Sequence, residues 1–250
     1  MTRRLAIEWP DPHLFRRRDG APMRILAISD VLESTLTDKR NRERLQPLDM
    51  ILGCGDLDFD DLGYVTDAFD APLVYVRGNH DVGHVWHESS GACPQPFGSP
   101  FLVHRDGLSI GGLEWPGLHS RSAGRSEMGA WRHAISLAAH RVGHTDPLIV
   151  LSHVPPAGTG DVPSDPYHRG FEGYAWALRH LRPRLWLHGH TPLAAAKAWH
   201  LTVGQTDVLN VTGAVLIELF APGTKPLETA APADGAAAEP NLEPAVPATR

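Results

Sequence analysis

Five short apolar runs, each stopping on a polar or charged group, do most to constrain what this chain can fold into. Arg24-Ile25-Leu26-Ala27-Ile28-Ser29 stops on Asp30, and Met50-Ile51-Leu52-Gly53-Cys54 stops on Gly55-Asp56. Leu73-Val74-Tyr75-Val76-Arg77 runs into Gly78-Asn79-His80-Asp81. Leu148-Ile149-Val150-Leu151-Ser152 ends on His153, and Leu185-Trp186-Leu187 ends on His188-Gly189-His190. Apolar runs this short and unbroken read as strands buried on both faces. The stretch from Thr37 to Gln46, stopped by Pro47, and the stretch from Asp61 to Phe69 read as helices between the first three runs. Strand, helix, strand, helix, strand predicts a parallel sheet with helices on its faces. The polar groups at the strand ends then gather at one edge of that sheet, where open α/β sheets bind ligands.

The remaining segments are placed around this frame. Residues 1–22 read as an N-terminal extension that adds an edge strand, with Arg16-Arg17-Arg18 as a solvated turn. Phe101–His104 and Leu108–Leu113 form a hairpin about Asp106-Gly107. Met128 to Val142 has helical spacing, with Trp131, Ile135, Leu137 and Ala138 expected toward the core, and Phe171 to Leu181 reads as another helix. Asp207–Val211 and Val215–Leu219 are expected as a second hairpin. The domain is therefore set at 23–221. Residues 222–250, rich in Ala, Pro and Glu, lack a core pattern and read as a disordered tail.

Composition narrows the function classes. A net charge of −6 and a pI near 6.2 argue against a general nucleic-acid or membrane-surface binder. Two cysteines, Cys54 and Cys93, make neither a disulfide scaffold nor a zinc ribbon and fit a cytoplasmic compartment. No apolar run reaches transmembrane length, and Glu8 and Pro10 interrupt any signal-like core at the start. Oligomeric state leaves no mark in the sequence.

The strand ends carry chemistry. Asp30, Asp56, Asn79, His153 and His190 together offer carboxylate, amide oxygen and imidazole, a donor set that suits a divalent transition ion, Mn²⁺ ahead of Fe or Zn. Such an ion polarises a phosphoryl oxygen and acidifies a water. His80 is able to donate to a phosphoryl oxygen, with Asp81 expected to hold its ring in one tautomer. His168, in a loop after Pro156, is a candidate to reach a substrate. Cys54, before a glycine at a strand end, reads as core rather than nucleophile.

The ordered set resembles the calcineurin-like metallophosphoesterases, whose motifs run D-x-H, G-D, G-N-H-D, H and G-H-x-H. Here they read Ser29-Asp30-Val31-Leu32, Gly55-Asp56, Gly78-Asn79-His80-Asp81, His153-Val154-Pro155-Pro156 and His188-Gly189-His190-Thr191-Pro192. Asp161 and His168-Arg169-Gly170-Phe171 are similar to a bacterial branch related to the class III cyclic-nucleotide phosphodiesterases. The resemblance implies an α/β fold, a four-layer αββα sandwich with two mixed β-sheets. It also implies a metal-dependent hydrolase of small phosphate esters, diesters before monoesters, with a nucleotide among the candidates. The alternative is a non-catalytic metal- or nucleotide-binding regulator. The family builds two metal sites around the G-D aspartate. Leu32 and Pro192 replace the two histidines of one site, leaving it Asp30 and the shared Asp56. The other keeps Asp56, Asn79, His153 and His190. One tightly held ion is expected, beside a second site that is degraded or rebuilt from Glu33, Asp58 or His188. His80 and Asp81 are the implied catalytic pair.

Overall fold

A computed structural model describes residues 2–81, 99–117, 124–196 and 198–224. In chain order its elements are β1 (Arg3–Glu8), α1 (His13–Arg16), β2 (Met23–Ser29), α2 (Ser34–Thr37), α3 (Lys39–Leu45), β3 (Met50–Gly53), α4 (Phe59–Phe69) and β4 (Leu73–Tyr75). There follow β5 (Phe101–Arg105), β6 (Leu108–Leu113), α5 (Glu127–His140), β7 (Leu148–Ser152), α6 (Glu172–Leu181), β8 (Leu185–His188), β9 (His200–Val203), β10 (Thr206–Asn210) and β11 (Gly213–Phe220). Residues 82–98 and 118–123 and, of the expected tail 222–250, everything from 225 onward lie outside the described residues.

The strands form two mixed sheets rather than one parallel sheet, in the orders β1-β11-β2-β3-β4 and β5-β6-β7-β8-β10-β9. Alternation along each strand explains how they stack. Ile25 and Ala27 of β2 point at the second sheet and share a core with Leu52, Val74, Ile149, Leu151 and Leu187. Leu26 and Ile28, one residue out of phase, meet Leu36, Leu45, Leu62 and Val65 from α2, α3 and α4. On the far side, Val150, Trp186 and Val208 meet Ala130, Ala134 and Leu137 of α5 and Tyr174 and Leu178 of α6. The result is the four-layer αββα sandwich. Each fully buried Leu, Ile or Val contributes roughly 1.5–3 kcal/mol, so the inter-sheet layer carries much of the stability.

Three local expectations need correction. Asp207–Val211 and Val215–Leu219 do not pair with each other. β10 joins the second sheet, in a hairpin with β9 across Gly204-Gln205, while β11 crosses to the first sheet between β1 and β2. β9 escaped notice because it is a half-exposed edge strand with little apolar signal. On α5, Ile135 is 55% exposed and the buried line is Ala130, Ala134 and Leu137. Small residues face inward there because α6 packs close, and a side chain on Gly173 would meet the Trp131 backbone nitrogen at 2.8 Å. The polar groups also gather at a seam between two sheets, not at the edge of one.

The N-terminal segment supplies β1, parallel to β11 at the sheet edge, and buries Trp9, Leu14 and Phe15 in the inter-sheet core. The hairpin of β5 and β6 turns on Asp106 and Gly107, both at positive φ, as a two-residue I′ loop requires.

Beside the seam, Arg77 after β4 grips Glu114 after β6 through two bonds of 2.7 and 3.0 Å. The Trp115 amide donates to the Arg77 carbonyl at 2.9 Å. Glu114 is almost wholly buried, so removing one partner strands a charge. Glu114→Ala is expected to lower stability by about 3 kcal/mol or more in urea unfolding. A loss under about 1 kcal/mol would show that the pair does not hold the sheets together.

Candidate metal centre

The donors sit where strands β2, β3, β4, β7 and β8 leave their sheets. Asp30, Asp56 and His190, each just past a strand, have φ of 65°, 57° and 64°. Left-handed backbone is uncommon for residues with a Cβ and costs free energy that the surroundings must supply. It turns each side chain back into the seam. Gly78 is required by close approach, since a Cβ there would lie 2.1 Å from an Asp56 carboxylate oxygen.

His153 Nε2 is the meeting point. It lies 3.0 Å from Asp56 Oδ2, 3.0 Å from Asn79 Oδ1 and 3.2 Å from His190 Nδ1. Donors about 2.1 Å from one ion in an octahedral arrangement are about 3.0 Å apart along an edge, and each of these three distances from His153 is close to that length. Both imidazoles are set as ligands by backbone carbonyls. His153 Nδ1–H donates to the Cys54 carbonyl at 2.8 Å, and His190 Nε2–H donates to the Tyr167 carbonyl at 2.8 Å. Their other nitrogens therefore face the centre, where an ion would take their lone pairs. Asp30 completes a cluster with Asp56 and His153 in which the ligand atoms lie within 4.8 Å of one another. Its carboxylate also takes the His190 amide at 3.1 Å and the Thr212 hydroxyl at 2.9 Å.

The two residues expected as a catalytic pair separate. His80 has a side chain 73% exposed toward the cleft, with its Nε2 3.0 Å from the Tyr167 hydroxyl. Asp81 does not orient that ring. Its buried Oδ2 takes the amides of Asp56 at 2.9 Å and Gly78 at 2.6 Å and the hydroxyl of Tyr75. It shapes the loop that carries Asp56 and Asn79, because three donors converging on one carboxylate oxygen leave His80 to solvent.

A cleft of about 660 Å³ opens over the centre and includes Asp30, Leu32, Asp58, His80, Tyr167 and His168 in its wall. His168 is thus at the cleft, with Nδ1 2.5 Å from Asp165. Leu32 packs against the helix-side core, where no ligand is offered. Glu33 is turned away to the Thr35 hydroxyl at 2.9 Å and the Ala214 amide at 3.0 Å. His188 is buried rather than facing the pocket, held by the Gly189 carbonyl at 2.9 Å. Tyr167 is the residue that sequence reasoning missed. Its one sequence signal is its place beside His168 in the Asp- and Pro-rich loop.

Burial and neighbours set the protonation of the centre. Burial pushes the His153 ring down, yet the hydrogen bond and charge of Asp56 outweigh it and raise the pKa from 6.5 to about 9. Burial likewise pushes the Asp56 carboxyl up, and bonding to His153 brings it below the usual range. Burial, with the charge of His153, lowers His190 to about 3. In the metal-free protein one proton on His153 stands where an ion would place its charge.

The pH dependence of the metal-free fold follows from these directions. His153, raised from 6.5 to about 9, contributes stability that is complete below about pH 6.5 and is lost as pH rises through 9. His190, depressed to about 3, keeps its contribution above 6.5 and loses it as pH falls toward 3. Thermal unfolding of chelator-treated protein is therefore expected to peak near pH 6.5. The alkaline fall is on the order of 3 kcal/mol and is abolished by a divalent ion that replaces the proton. Equal stability at pH 6.5 and 9.5 without metal would contradict this.

Comparison with known proteins gives the family. The family model for calcineurin-like phosphoesterases matches residues 23–194, which include Asp30, Asp56, Asn79, His153 and His190. A comparison with curated proteins finds no match by sequence. One solved structure aligns with a TM-score of 0.54 at 15% identity, covering 77% of this chain and 91% of that one. The protein TT1561 of Thermus thermophilus aligns at 0.49 and 16% identity, covering 77% and 90%. A dimetal phosphatase from Danio rerio aligns at 0.50 and 12% identity, covering 77% and 88%. The first and third likenesses are of fold alone. Since the family model takes in strands of both sheets and every donor of the centre, the chain belongs to the calcineurin-like phosphoesterase family.

Proposed function

We propose that the chain is a metal-dependent phosphodiesterase that works with one complete ion site, formed by Asp56, Asn79, His153 and His190. The observation that carries this reading is the convergence of three donors on His153 Nε2 at 3.0–3.2 Å beside an exposed His80. The mixture of carboxylate, amide oxygen and imidazole favours Mn²⁺, with Fe or Zn next. When bound, the ion supplies Lewis acidity toward a phosphoryl oxygen and acidifies a water. Asp30, on the side where Leu32 and Pro192 stand, orients that water or holds a weak second ion.

The protein's groups do the rest. Hydrolysis forms a P–O bond to water and breaks the P–O bond to the leaving alcohol. His80, open to the cleft and tethered by its amide to Asp56 Oδ1 at 2.9 Å, gives a proton to the leaving oxygen and recovers one from the water consumed. His168 borders the same space and contacts the substrate from the loop side.

Charge supports diesters over monoesters. Asp58 and Asp61 join Asp30 and Asp56 in the cleft wall. Burial, with the charges of Asp58 and Asp60, pushes the Asp61 carboxyl up, a sign of negative potential. One divalent ion offsets only part of four carboxylates, which disfavours a dianionic monoester more than a monoanionic diester.

Purified protein is expected to hold close to one Mn²⁺ per chain and to hydrolyse bis-p-nitrophenyl phosphate faster than the mononitrophenyl ester. His80→Ala is expected to keep the metal and lose roughly 10²–10⁴ in rate. Asn79→Ala is expected to lose both metal and rate. Metal bound without turnover of either ester would argue for a regulatory binder. Two tightly bound ions would sink the one-site assignment.

A further inference from the structure

We infer that Tyr167 is a further catalytic residue, its hydroxyl a hydrogen-bond donor to a non-bridging oxygen of the phosphoryl group. This rests on the phosphodiesterase reading above. The hydroxyl oxygen lies 2.9 Å from Asn79 Nδ2 and 3.0 Å from His80 Nε2. Both nitrogens come from the G-N-H-D loop, both are able to donate, and His80 and Tyr167 line the cleft. An oxygen of a phosphoryl group held at the centre would seek the same two groups. Tyr167 Oη therefore marks a seat for a phosphoryl oxygen. Tyr167 is 51% exposed, with room to yield the seat and donate to its new occupant from the side.

Tyr167 is held in place rather than left loose on the surface. Its loop is closed at the base by paired backbone bonds between Pro155, Ala157 and Phe171, each 3.1 Å. Within it, Val162 N–H donates to the His168 carbonyl at 3.1 Å and Gly170 N–H donates to Asp161 at 2.8 Å. One carboxylate, Asp165, takes the Tyr167 amide at 2.9 Å and bonds His168 Nδ1. At its base, the Arg125 guanidinium lies 4.0 Å from the centre of the Phe171 ring and donates to the Gly170 carbonyl at 2.6 Å. The loop thus fixes the Tyr167 backbone beside the cleft, so the phenol needs only a side-chain turn to leave the seat and donate to the oxygen that takes it.

Electrostatics explains why a phenol suits this position. Leu32 and Pro192 remove ligands from one side of the centre, and the cleft already carries Asp30, Asp56, Asp58 and Asp61. Negative charge that grows on the phosphoryl oxygens therefore needs donors supplied by the protein. A neutral O–H donates without adding charge to be desolvated.

Tyr167 has two separable attachments. Its backbone carbonyl sets the His190 tautomer, and its hydroxyl faces Asn79 and His80. Tyr167→Phe keeps the carbonyl and the ring and removes only the hydroxyl. In the full Mn²⁺-loaded chain, kcat on bis-p-nitrophenyl phosphate is expected to fall about 100-fold with KM within about threefold. Affinity for inorganic phosphate, measured by calorimetry, is expected to weaken about tenfold. Metal stoichiometry and melting temperature should match the wild type. If Tyr167→Phe keeps both kcat and phosphate affinity within about twofold while the wild type turns over, the assignment to Tyr167 fails and the phosphodiesterase reading stands. If kcat falls only together with metal content or melting temperature, the hydroxyl is a structural tie and the assignment fails. A metal-loaded wild type that neither binds phosphate nor hydrolyses either ester overturns both readings.

Discussion

The bond from His153 Nδ1–H to the Cys54 carbonyl, 2.8 Å long, is the contact on which the rest of the site depends. His153 stands at the end of β7 in the second sheet, and Cys54 follows β3 in the first. One ring therefore closes the seam between the sheets with one nitrogen and gathers Asp56, Asn79 and His190 with the other. Cys54 contributes through its backbone, and its buried thiol is core, as its place before Gly55 suggested. The apolar layer between the sheets makes this possible. It buries both strand ends, so the hydrogen bond and the ion pair with Asp56 act in a low-dielectric setting.

The residues on the two sides of the centre are held differently, for reasons that are visible locally. Each of the four proposed donors is oriented by a second bond: His153 by Cys54, His190 by Tyr167, Asn79 through its Nδ2 by the Tyr167 hydroxyl, and Asp56 through its Oδ1 by the His80 amide. On the other side Leu32 belongs to the helix-facing core, and Glu33 serves the Ala214 backbone of β11. Asp30 is committed to the His190 amide and Thr212. Residues that once could be read as replacements are holding structure. Asp58 remains at the cleft wall, and it is the N-terminal flanking residue of α4, where a carboxylate is favoured by the helix dipole without any ion.

Much of this was legible in the sequence, and what was not has a common cause. The gathering of Asp30, Asp56, Asn79, His153 and His190 could be anticipated because each ends an apolar run, and the pattern that makes a buried strand also marks where it stops. The two-sheet arrangement came only through the family resemblance, since buried strands of two sheets look the same in sequence as those of one. β9 and the true partner of β10 were missed for the opposite reason: an edge strand with one wet face has no strong pattern. The inward face of α5 was misread because hydrophobicity favoured Ile135 over Ala134, whereas close approach of α6 rewards small side chains.

Tyr167 and Asp81 show the limit from the side of chemistry. Asp81 follows His80 in the chain, and adjacency suggested partnership. In space its carboxylate turns under the loop to Asp56 N, Gly78 N and Tyr75, which a one-residue separation along a tight turn readily allows. Tyr167 lies 87 residues from His80 in sequence and meets it at 3.0 Å. The loop that delivers it has no periodicity, because its shape comes from bonds such as Asp165 to Tyr167 N and Asp161 to Gly170 N rather than from burial. Strand ends can be read because the core imposes a rhythm on them. A partner that arrives on a hydrogen-bonded loop leaves only its composition, and its role is decided by where the loop's own carboxylates pin it.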